Sequence, residues 1–140
     1  MRHQGAISQV NIEREKEIMS LYRQAKAIAG FPATIDRICH IMANLPCSKY
    51  YISDYWALRY VEDRQKGKIR RFKNRKKHVL YSALYATVQQ LAKSAQYRGS
   101  SLESIVDAVL EKPAPIIGLS PSFIKNVLRY KLNIYQYEKN

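Results

Sequence analysis

Apolar residues recur along this chain at steps of three and four, the spacing of one helical face, and strand-like alternation is nearly absent. Ile18, Leu21, Tyr22, Ala25, Ile28 and Ala29 mark a first helix from about Asn11 to Ala29, broken by Gly30, Phe31 and Pro32. Thr34 is placed to cap a second helix, whose Ile35, Ile38, Cys39, Met42 and Leu45 share a face until Pro46 stops it. After the loop PCSKYYIS, Ser53 is a natural N-cap with Asp54 in the first turn, where a negative charge suits the helix dipole. That third helix carries Tyr55, Trp56, Leu58, Tyr60 and Val61.

The second half predicts the same succession. Leu80, Leu84, Val88, Leu91 and Ala95 lie on one face of a long helix expected over Asn74 to Tyr97, ended by Arg98 and Gly99. Ser100 and Glu103 have capping-box spacing ahead of a short helix with Leu102, Ile105, Val106 and Val109 on its apolar side. Pro113 and Pro115 terminate it, and Ser120 followed by Pro121 opens a last helix bearing Phe123, Ile124, Val127 and Leu128.

The halves align without a gap over about 28 positions at an offset of 67, the step from Thr34 to Ser101. Asp36 then meets Glu103, Ile38 meets Ile105, Pro46 meets Pro113, Ile52 meets Leu119, Ser53 meets Ser120 and Trp56 meets Phe123. The expected fold is all-α: about six helices, as two tandem trihelical repeats of long helix, short helix, Pro loop and capped helix around one core. The divisions are an N-terminal arm at 1–10, a first repeat at 11–66, a basic junction at 67–73, a second repeat at 74–133 and a tail at 134–140.

Charge changes this picture most. The formal charge is +13, and Arg64, Lys66, Lys68, Arg70, Arg71, Lys73, Arg75, Lys76 and Lys77 supply nine positive charges in a stretch without an acid, leaving +4 for the remainder. So concentrated a field attracts polyanions, of which nucleic acid, DNA or RNA, is the commonest. Eight of the aromatics, Tyr50, Tyr51, Tyr55, Trp56, Tyr60, Phe72, Tyr81 and Tyr85, fall in or beside the same region, and aromatic rings offer stacking surfaces to bases. Trp56, Tyr60, Tyr81 and Tyr85 sit at core-like helical positions, and most of them are expected to be packed. Tyr50, Tyr51 and Phe72 therefore join the nine cations as the candidate nucleic-acid site.

A second candidate is GLSPSFIKNVLRYKL, where Ser122, Lys125, Asn126 and Arg129 would face a DNA groove if the last two helices formed a helix-turn-helix. The link between those helices contains Pro113 and Pro115 and is longer than the three or four residues that motif uses. Catalytic patterns are missing: His3, His40 and His78 are scattered, and no HExxH, CxxC, phosphate-loop or nucleophile-elbow spacing occurs. Cys39, His40 and Cys47 are near one another but point different ways and lack a fourth ligand, so neither a metal nor another cofactor is expected, and the chain reads as a non-enzyme.

No apolar run approaches the length of a membrane helix and MRHQGAISQV contains no long apolar segment, so no membrane partner and a location in the cytoplasm or within a virion are expected. The loops LPCSKYYIS and KPAPIIGLSP resemble the Pro-Ala-Pro, aromatic, Ser-then-helix signature of small basic helical proteins of gut bacteria, their phages and mobile elements. Cys47 and Ser48 replace its Ala and Pro in the first copy, and Ile116, Ile117 and Gly118 its aromatic segment in the second. The resemblance implies a phage or mobile-element setting. The expected function is weakly sequence-specific nucleic-acid binding through phosphates, as an accessory factor. The alternative is a structural or assembly protein of a virion or nucleoprotein complex, or an oligomeric helical subunit supporting a polymerase or recombinase, with tyrosines and the tail NIYQYEKN as protein contacts.

Overall fold

The computed structural model describes the backbone of residues 2–131 and the side chains of residues 11–130, so the tail expected at 134–140 lies outside the described residues. Six helices follow one another: α1 (Arg2–Ala29), α2 (Ile35–Ala43), α3 (Asp54–Gln65), α4 (Arg75–Ala92), α5 (Leu102–Leu110) and α6 (Pro121–Asn126). The described residues contain no strand, only one isolated antiparallel bridge.

Local hydrogen bonds set most helix starts. Thr34 accepts from the Arg37 N–H, Ser53 from Trp56, Asn74 from Lys76 and Ser120 from Phe123, each satisfying an amide that the first turn leaves without a partner. Three boundaries differ from the sequence pattern. α1 runs back to Arg2, so an arm over 1–10 is not separate from it. α4 stops at Ala92 instead of Tyr97, where the Ser94 hydroxyl takes the Leu91 carbonyl at 2.7 Å and a 3₁₀ turn follows over Ala95–Tyr97. α5 is capped by Ser101, which accepts from the Ser104 N–H at 3.1 Å, and not by Ser100. Beyond α6 the backbone widens into π-helical hydrogen bonding over Val127–Lys131.

One apolar cluster runs through the molecule. Ile18, Leu21 and Ala25 of α1, Ile38 and Met42 of α2, and Ile124 and Leu128 at α6 fill one part; Tyr60, Val61, Leu84, Val88, Val106 and Val109 of α3, α4 and α5 fill the other. α1 packs on α2 and α2 on α6, while α4 and α3 both pack on α5 and on each other. The packed triplets are therefore α1, α2, α6 and α3, α4, α5. The expected grouping of three consecutive helices per half is corrected: each half's last helix crosses to the other half's short helix.

Backbone hydrogen bonds hold the crossing. Cys47 and Ala114 exchange backbone hydrogen bonds of 3.0 Å in both directions. These two residues are related by the same offset of 67 that carries α2 onto α5 and the Ser53 cap onto the Ser120 cap. An antiparallel pair has a local two-fold axis between its members. The two Pro-containing loops thus pass in opposite directions and deliver α3 and α6 to opposite partners.

Candidate nucleic-acid interface

The basic junction leaves α3 through a Schellman turn. The Lys68 N–H donates to the Asp63 carbonyl at 2.9 Å and the Gly67 N–H to the Arg64 carbonyl at 3.0 Å, with Gly67 at φ +83°, a conformation costly for a residue with a Cβ. The turn sends the chain back along α3 before Asn74 reopens a helix. Phe72 anchors the segment: its ring stacks on Tyr81 at 4.7 Å and 29°, and Tyr81 meets the buried Tyr60 edge-on at 4.9 Å. The Arg70 guanidinium lies 5.2 Å from the Trp56 ring centre and 6.0 Å from that of Phe72.

The nine candidate cations divide by what they touch. Arg64 donates to the Tyr60 hydroxyl at 3.0 Å and lies 4.5 Å over Tyr85, which ties it to the core. Lys76 donates to the Asn44 side-chain oxygen, joining α4 to the end of α2. Lys66, Lys68, Arg70, Arg71, Lys73, Arg75 and Lys77 are exposed. None of these seven shares in the ion pairs of Lys49 and Lys125. Their charges accordingly face water from a segment pinned at Gly67, Phe72 and Asn74.

The aromatic candidates are corrected. Tyr50 is buried, its N–H bonded to the Leu110 carbonyl at 3.0 Å, and belongs to the loop crossing. Tyr51 is half-buried; its hydroxyl donates to Glu17 at 2.7 Å, and burial pushes its pKa up. Phe72 spends its ring on the core. Of the four helical aromatics, Tyr60 and Tyr81 are buried, whereas Trp56 is 42% exposed. The buried face of α3 is Ala57, Tyr60 and Val61, so Trp56 stands one residue off that face in line with Arg59 and Asp63. The small core residue Ala57 was the available signal; the larger Trp56 drew the apolar count away from it.

Trp56, Arg59, Asp63, Lys68, Ile69 and Arg70 line an open cleft of about 460 Å³. Ile69 is 72% exposed there, an apolar side chain among cations.

On the other candidate face Ser122 and Asn126 are exposed and Lys125 and Arg129 half-buried. Ser122, Lys125, Asn126 and Arg129 line a pocket of about 400 Å³ with Asp36, Cys39 and His40 of α2, and Lys125 pairs with Asp36 at 2.7 Å. A helix-turn-helix needs α5 against α6, whereas α6 packs on α2 and α5 on α3 and α4. Cys39 and Cys47 are buried thiols, Cys47 donating to the Lys49 carbonyl at 3.2 Å, and burial raises their pKa values to about 11 and about 12. Among the described residues no group of three His, Cys, Asp or Glu side chains is placed to hold a metal, and no helix is long and apolar enough to cross a membrane.

Comparison with protein-family models, with curated proteins and with solved structures gives no match. The functional reading therefore rests on the chain's own residues.

Proposed function

We propose that this protein binds nucleic acid through the α3–α4 junction, chiefly by phosphate contacts, as an accessory factor of a phage or mobile element. The observation that carries the reading is the set of seven exposed cations without a carboxylate partner, on a backbone held to the aromatic core by Phe72. Five of the seven stand on irregular backbone and two in the first turn of α4, so long cationic side chains neutralise phosphates without a helix face laid in a groove, and discrimination among duplex sequences is weak. The phage or mobile-element setting is drawn from the loop resemblance alone.

The test replaces Lys68, Arg71, Lys73 and Arg75 together with Gln and measures affinity for random duplex by fluorescence anisotropy. A loss of more than about 30-fold at 0.1 M salt is expected. Neutralising the exposed Arg23, Arg37 and Lys93 instead changes affinity far less. Equal effects of the two sets would overturn the assignment of the junction.

The assembly reading keeps one specific support. Phe31 is 101% and Ile28 61% exposed at the end of α1, and Ile28 lines an open apolar pocket with Ile41 and Leu45. Light scattering on nuclease-treated protein separates the two: a monomer that shifts on adding nucleic acid supports binding, and a stable oligomer indifferent to it supports assembly.

A further inference from the structure

We propose that the cleft between α3 and the junction seats one unpaired base of a single strand. This rests on the nucleic-acid reading and adds the class of strand. Trp56, 42% exposed, lines the cleft, with Tyr55 edge-on against it at 5.1 Å and 80° and the Arg70 guanidinium over its ring, 5.2 Å from the centre. Ile69, 72% exposed, gives a second apolar wall. The volume, about 460 Å³, falls within the roughly 300–1,000 Å³ of small-molecule sites.

Chemistry around the walls matches a nucleotide. Arg59, Lys68 and Arg70 are placed for the phosphates on either side, and the Asp63 carboxylate is an acceptor for a base N–H. A duplex cannot use this surface, because its bases are stacked on one another and offer only their edges. A single strand turns a base face outward, and an exposed indole layered with a guanidinium offers the planar surfaces on which such a base stacks. Trp56 and Ile69 thereby acquire a ligand that explains their exposure among cations.

Trp56 is the chain's single tryptophan, so its fluorescence reports this cleft alone. The full chain is titrated with four probes of about 15 nucleotides, a length that spans a single-strand site. These are a thymidylate DNA, a uridylate RNA, an abasic oligomer of the same charge, and a random duplex. The DNA or RNA strand should quench Trp56 and bind about 5- to 150-fold tighter than the abasic oligomer. Measured by the fluorescence anisotropy of labelled probes, Trp56→Ala, and independently Ile69→Ser, should remove that advantage and leave the duplex affinity unchanged. Equal affinity for based and abasic strands, or an advantage that survives both substitutions, would overturn the cleft while leaving the junction reading intact. Failure of all four probes to bind would overturn both. Whether DNA or RNA quenches more strongly identifies the strand.

Discussion

Gly118 tests the packing of the second Pro loop, which delivers α6 to α2. It has φ +85° and is buried, and a Cβ built on it would come 2.5 Å from Cδ2 and 3.3 Å from Cβ of Leu80 on α4. Gly67 supplies the internal control: its φ is +83°, but nothing lies within 4 Å of the corresponding Cβ. Left-handed backbone costs a residue with a side chain about 1–2 kcal/mol. Replacing Gly by Ala also removes unfolded-state freedom worth about 0.4–1 kcal/mol in the opposite sense. Gly67→Ala should therefore destabilise by about 1 kcal/mol, the strain alone. Gly118→Ala adds forced overlap with Leu80, about 1–3 kcal/mol more. Urea denaturation measures both, and thermal midpoints should separate by roughly 3–5 °C for each kcal/mol between them. Adding Leu80→Ala takes away Cδ2, so the double variant should be more stable than the sum of its singles predicts by about 1 kcal/mol. Equal costs at Gly67 and Gly118, within about 0.5 kcal/mol, would refute the close approach of this loop to α4.

Three further outcomes follow from the electrostatics and burial. Lys125 holds the Asp36 carboxyl below its ordinary value of 3.8, first through the hydrogen bond and then through its charge. A depressed folded-state pKa stabilises above the ordinary value and is lost as pH falls through the folded one, so the midpoint difference between wild type and Lys125→Met should be present near neutrality and shrink as pH falls below 3.8; a difference that grows in acid would contradict the pairing. Cys39 and Cys47, with pKa values raised to about 11 and about 12, should react with an aromatic disulfide reagent at pH 8 only as fast as the protein opens, and rapid reaction of either would show it accessible. Glu17 accepts from the Ser48 N–H at 3.3 Å and the Tyr51 hydroxyl at 2.7 Å, clasping α1 to the first Pro loop. Glu17→Gln should cost about 1–2 kcal/mol in urea, and a change under about 0.3 kcal/mol would mean the clasp contributes nothing.

Helix number and most starts were legible because caps are local: Thr34, Ser53, Asn74 and Ser120 each bond an amide two or three residues on. Where two serines adjoin, at Ser100 and Ser101, spacing from Glu103 favoured the wrong one. The end of α4 was hidden because Leu91 and Ala95 keep the helical step while Ser94 diverts the Leu91 carbonyl. Periodicity says which face of a helix is apolar and not which helix covers it, so the exchange of α3 and α6 between halves could not be read, although the offset already matched Cys47 with Ala114. The candidate site divides in the same way. Its charge was plain in the composition, because cations stay at the surface. Which aromatics join them depended on the core face of α3, set by Ala57, and on the loop crossing that buries Tyr50.

The most direct test of the central claim is the salt dependence of binding to random duplex between about 0.05 and 0.2 M salt. Each neutralised phosphate contributes about −0.9 to the slope of log affinity against log salt, so about six of the seven exposed junction cations give a slope near −5. The account predicts that slope, and predicts that it flattens when the junction is neutralised. A flat response, or no binding at the lowest salt, would contradict it.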